Sequence, residues 1–310
     1  MVLKMRIPKY LIVTLAICTL TVAGLCYAGM TITGLDTVIS FFYNRGTGNA
    51  QGLLFDDEGL PRINSHEYLY SIAEGYVPNH TLWTKSGYNA ALSASEETLW
   101  AAGGDYIFPT TAMRMEIYST SADDTSNGTG ARIVQINYLN STFAEKVENV
   151  TLNGTTAVPT VATDIYRINN LRVRTVGTGN KNAGDIDIRH LDDTPIYSRI
   201  ATGTNRAINS AYTVPINKCL YIYDIMLSAG SNVANRPVRV ITQATYDNIA
   251  HEKISFFMPY TNVVIVDGSV DVPILGPTRF CSGVDIKVNA ISPDGATYGA
   301  ITMRGWLEDD

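Results

Sequence analysis

From Tyr106 to the C-terminus, apolar and polar residues alternate with a period of two, the pattern of strands buried on one face. In "AMRMEIYSTS", Met113, Met115 and Ile117 oppose Arg114, Glu116 and Tyr118. In "ARIVQINYL", Val134, Ile136 and Tyr138 oppose Ile133, Gln135 and Asn137. Asn153-Gly154, between two β-rich runs, predicts a hairpin. "RINNLRVRTVGTGNKNAGDIDIRHL" repeats the scheme, with a turn in its glycine-rich middle. A second β block starts near Tyr212 and runs through "CLYIYDIMLSA", "RPVRVITQATY", "HEKISFFMPY" and "NVVIVDGSVDVPIL", with a turn at Asp267-Gly268. The last segment, "GVDIKVNAISPDGATYGAITMRGWL", predicts a closing hairpin at Pro293-Asp294-Gly295.

Upstream of Tyr106 the periods differ. "NSHEYLYSIAEG" predicts a short helix capped by Asn64 or Ser65 and stopped by Gly75. "ASEETLWAAGG" predicts a second helical turn capped by Ser95. Residues 31–62 hold no firm period and read as an extended arm or linker. The fold class that follows is mainly β: two tandem antiparallel β-sandwich or jelly-roll-like domains behind a short N-terminal helical and extended region. Their boundaries fall at 76–195 and 205–310, after an arm over 30–75, with "LDDTPIYSRIATGTNRAINSAY" between the blocks.

Composition supports strands joined by tight turns. The 310 residues are low in charge, at 17% Asp, Glu, Lys and Arg, and include 25 glycines and 18 tyrosines. The net charge of −6 gives no general attraction to nucleic acid, so no nucleic-acid partner is expected.

Residues 1–29 stand apart. Lys4, Arg6 and Lys9 precede an uncharged stretch from Tyr10 to Met30, and "CYAG" offers a cleavage site after Ala28. Three readings fit: a cleaved signal peptide, a single membrane anchor, or an extension upstream of a true start at Met30. Membrane association is expected only where residues 1–29 are retained. Removing the three positive charges leaves a body at −9.

Candidate chemistry is sparse. "SADDTSNGTGARIV" sets a Gly-x-Gly beside an arginine, but a phosphate loop requires a helix or a Gly-Lys-Ser/Thr after the glycines. Here a strand follows, so Gly128 and Gly130 read as turn residues. Asp185 and Asp187 share one strand face and, with His190 or Asp192-Asp193, could collect a divalent cation. Acids alternating along a solvent face give the same pattern, and no metal or cofactor is expected. The histidines lie in no nucleophile motif, so no catalytic residue is assigned. Cys219 and Cys281 sit on predicted strands as small buried hydrophobes, or as one disulfide if the chain is exported.

A resemblance then emerges over roughly residues 70–310. "GYVPNHTLWTKSGYN", "EETLWAAGGDYIFPTTA", "SADDTSNGTGARIVQINYLNSTFAEKVENVTLNGTTAVPT" and "RINNLRVRTVGTGNKNAGDIDI" occur in a set order. Together they resemble a family of virion structural proteins of tailed bacteriophages. "YTVPINKCLYI", "RPVRV" and "DIKV" continue the likeness, with Asn217 where the family usually has glycine. The resemblance implies a non-enzymatic component of the particle: capsid decoration, head fibre or head–tail part. It implies contacts with other virion proteins such as the major capsid protein, and a homo-oligomer for which a trimer is plausible. The virion, assembled in the host cytoplasm, is the implied location. The N-terminal segment departs from such a family, and an exported surface or adhesive β protein is the rival class.

Overall fold

The computed structural model describes residues 41–43, 50–52, 54–55, 61–62, 68–231, 236–247, 250, 252–292 and 297–310. Two units divide at Ser71/Ile72. In the first, β1 (Phe41–Tyr43) pairs with β2 (Ala50–Gly52), and β3 (Leu54–Phe55) pairs with β4 (Pro61–Arg62). The arm expected over 31–62 therefore contains short antiparallel pairs. The predicted helix is present as α1 (Tyr68–Ala73), closed by Gly75 at φ 76°, whose N–H donates to the Ile72 carbonyl. Its expected caps, Asn64 and Ser65, lie outside the described residues, as do residues 1–29.

The second unit, Ile72–Asp310, is mainly β and its sheets are antiparallel. One pair of sheets is built from β5 (His80–Leu92), β6 (Glu97–Thr98), β14 (Tyr212–Thr213), β15 (Lys218–Ser231), β16 (Pro237–Asp247), β17 (Glu252–Val266), β18 (Gly268–Cys281), β19 (Asp285–Ile291) and β20 (Thr297–Asp309). The first sheet runs β5-β20-β15-β18; the second runs β14-β19-β16-β17, with β6 also on β19. Inward side chains of both sheets, among them Leu220, Ile222, Val240, Val288 and Met303, share one core.

Between β5 and β14 the chain builds a second pair of sheets. Strands β7 (Met115–Ser119), β10 (Val158–Pro159), β12 (Ile186–His190) and β13 (Ile196–Ile200) form one, in the order β10-β7-β12-β13. Strands β8 (Ala131–Leu139), β9 (Glu145–Thr151) and β11 (Arg167–Val176) form the other, in the order β11-β8-β9. Met115, Ile117, Val134, Ile136, Ile186 and Ile188 meet in their core, as the alternation predicts.

The structure differs from the sequence expectations where strands are close in sequence yet belong to different sheets. The tandem boundaries place β5 and β6 with the first block, but β5 pairs with β20 and β6 with β19. The stretch expected to separate the blocks supplies β13, whose Tyr197 and Ile200 are buried in the inserted core. Gly154 makes its turn at φ 60°, but the strands it joins are no hairpin: β9 pairs with β8 and β10 with β7. The Asp267-Gly268 turn leads from β17 into β18 on the opposite sheet, and β19 and β20 likewise lie in different sheets. "ASEETLWAAGG" is not helical. Its Glu97 is fixed by Asn89 Nδ2, the Ser93 N–H and the Gly104 N–H, and pairing with β19 holds the backbone extended.

Candidate interaction surface and side-chain clusters

The glycine-rich loop is organised by Asp124, which is fully buried. Its Oδ1 accepts from the backbone N–H groups of Ala131 (2.6 Å) and Ala183 (2.8 Å). Its Oδ2 accepts from Ser119 Oγ (2.6 Å) and the Gly184 N–H (2.9 Å). One carboxylate thus ties three loop segments together. The glycines permit that crowding: a Cβ at Gly128 would stand 2.0 Å from the Asp123 carbonyl oxygen, and one at Gly177 would stand 2.1 Å from that of Gly128. The acceptor at the centre of the loop is thus one of the protein's own side chains.

Asp185 and Asp187 come together around Arg199. Asp187 is buried and accepts from Arg199 Nε at 2.6 Å and from its terminal nitrogen at 2.7 Å. Asp185 stands 3.9 Å from the same guanidinium and accepts from the Thr202 N–H and hydroxyl, both at 2.8 Å. The hydrogen bond that Arg199 donates to Asp187 raises the Arg199 pKa. His190 lies apart from them, within 3.4 Å of Asp192, and Asp193 pairs with Arg189. This cluster is a forked ion pair: the guanidinium sits where the two acids would otherwise face a cation.

Cys219 and Cys281 face each other across β15 and β18 and are joined as a disulfide, with Cα atoms 4.0 Å apart. Cys219 is fully buried. The preceding turn places Asn217 at φ 58°, the left-handed region, where glycine or asparagine is favoured over other residues.

A cluster missed by sequence reasoning joins the two pairs of sheets. Arg167 on β11 grips Asp285 on β19 with two hydrogen bonds, each 2.9 Å. A terminal guanidinium nitrogen also donates to the Pro109 carbonyl at 2.6 Å, and the guanidinium lies 3.9 Å from the Tyr166 ring centre. Thr213 Oγ1 donates to the same carboxylate at 2.5 Å. Burial works against the Arg167 charge, but Asp285 outweighs it and the pKa rises. The partners stand 118 residues apart, so no local pattern announces them.

The outer surface offers a different feature. β17 terminates its sheet, paired through β16 on one side. It exposes Phe256 at 60%, Val264 at 61% and Val266 at 49%. A long edge strand with exposed apolar side chains is a template for contact with another chain. Among the described residues, no helix is long and apolar enough to cross a membrane.

No family model matches the chain, and no curated protein sequence matches it. Similar solved structures include infectious bursal disease virus, Gt strain (10% identity, 78% of this chain and 80% of that one, TM-score 0.20). The T=1 particles derived from that virus give 12% identity over 78% and 74% of the two chains, with a TM-score of 0.21. The Gx strain gives 8% identity over 74% and 76%, with a TM-score of 0.20. At these TM-scores the likeness carries no conclusion about the chain.

Proposed function

We propose that the chain is a non-enzymatic structural component of a tailed-phage particle, acting through contacts with the major capsid protein and with further copies of itself. Strand order is the observation that carries this reading. Taking β5, β14, β15, β16, β17, β18, β19 and β20 as first to eighth, one sheet reads first, eighth, third, sixth. The other reads second, seventh, fourth, fifth. This is the double Greek key of a jelly roll, an architecture used by viral capsid domains and lectins. The second pair of sheets is then an insertion between the first two jelly-roll strands, a module carried on the frame. The apolar edge of β17 supplies contact area for symmetric assembly. Mass spectrometry of gradient-purified particles tests the assignment: the chain co-sediments with capsid protein if it holds, and its absence from particles sinks it.

The Cys219–Cys281 disulfide favours a second reading, an exported surface or adhesive protein, because such bonds persist in oxidising compartments. Alkylation of unreduced native protein separates the two. Protein taken from purified particles with both thiols free supports cytoplasmic assembly; blocked thiols in cell-surface fractions, with no chain in particles, support export.

A further inference from the structure

A cavity of about 520 Å³ opens where β5, at the edge of its sheet, meets the 206–208 segment and Asn170 of β11. Its size falls within the range of small-molecule sites. Two cations line it, Lys85 and Arg206. The half-buried Lys85 donates one hydrogen bond, to the Asn169 carbonyl at 2.6 Å, and an ammonium has three N–H groups to give. Among the described residues neither cation is in an ion pair with a carboxylate. Half-buried Arg199 and buried Lys287, by contrast, are held by the carboxylates of Asp187 and Asp105. Ser86 and Asn170 bring polar groups to the same walls, while Leu82 and Ile208 bring apolar ones.

We propose that this cavity binds an acidic monosaccharide, with the sugar carboxylate seated between Lys85 and Arg206. The carboxylate would supply the charge that the two cations lack. Sugar hydroxyls would meet Ser86 and Asn170, and the C–H face of the ring would lie on Leu82 and Ile208. Burial, and then the Arg206 charge, pull the Lys85 pKa down to about 7. A bound anion reverses that direction, because an opposite charge favours the ammonium. The site is separate from the assembly surface on β17, so its failure leaves the particle assignment standing.

Calorimetry on the full chain with glucuronic acid and N-acetylneuraminic acid, against glucose and inorganic sulfate, tests the proposal. At least one acidic sugar is expected to bind about tenfold or more tightly than glucose and sulfate. Arg206→Gln, on an exposed side chain, is expected to weaken that binding about tenfold with an unchanged melting temperature. NMR titration of the Lys85 amine is expected to show an upward pKa on binding. Equal affinity for acidic and neutral sugars, binding of sulfate as tight as of the acids, undiminished binding by Arg206→Gln, or no binding at all would each overturn the proposal.

Discussion

At the level of single residues, charge is spent on holding backbone together. Asp124 accepts four hydrogen bonds inside the inserted module, while its neighbour Asp123 is exposed. Asp124→Ala leaves a hydroxyl and three backbone N–H groups without their acceptor, and is expected to cost about 3 kcal/mol or more in urea unfolding. Asp123→Ala is expected to stay within about 0.5 kcal/mol. Equal costs at the two positions would refute the anchoring role. Lys85 sets a pH dependence by the same logic. Its folded pKa of about 7 lies below the ordinary 10.5, so between these values the unfolded chain holds a proton that the folded chain lacks. Stability from this group therefore rises with pH across that window, and its cost is complete below it. Lys85→Met is expected to gain most over wild type at about pH 6 and least at about pH 10, in urea midpoints at matched salt.

At the level of elements, the alternation of Met115/Ile117 and Val134/Ile136 fixes strand faces, because burial on one side leaves a mark every second residue. Partner choice leaves no such mark. Asn153-Gly154 has the chemistry of a hairpin turn, yet the Gly154 N–H is taken by the Asp124 carbonyl and the chain passes to another sheet. Glu97 lies in a helix-like sequence, but its buried carboxylate is satisfied by Asn89, Ser93 and Gly104 in an extended segment. The Arg167–Asp285 pair and the Lys85 cavity depend on residues brought together only by that sheet exchange. Exposure along β17, by contrast, belongs to one strand and gives a direct test. Val264→Lys and Val266→Lys place charge on an edge whose side chains reach solvent, a standard barrier to edge pairing. The proposed self-association predicts that the double variant shifts the mass toward monomer in light scattering, with a melting temperature close to wild type. A mass unchanged from wild type would remove β17 from the proposed assembly surface.

At the level of the whole molecule, the outer pair of sheets carries its first strand near one end of the second unit's sequence and its last at the other, with the inserted module between. Pairing of β5 with β20 therefore makes closure of the frame depend on the most distant parts of the second unit. The disulfide acts on that closure, linking β15 to β18 across a sequence separation of 62 residues. A crosslink closing a loop of this size lowers the entropy of the unfolded chain by an amount worth about 4 kcal/mol near room temperature. β15 also pairs with β20, which pairs with β5, so loosening at Cys219–Cys281 bears on the whole first sheet. The Cys219→Ala/Cys281→Ala variant is expected to lose about 2–5 kcal/mol in denaturant unfolding while keeping its far-ultraviolet β signal. The loss should appear in the sheet that holds β15 and β18 and spare the inserted module, whose strands carry neither cysteine. Hydrogen exchange distinguishes the two: faster exchange in β15, β18 and β20 with unchanged β8 and β11 fits a closure role. Uniform acceleration would mean that the two cores unfold as one unit, coupled through Arg167 and Asp285.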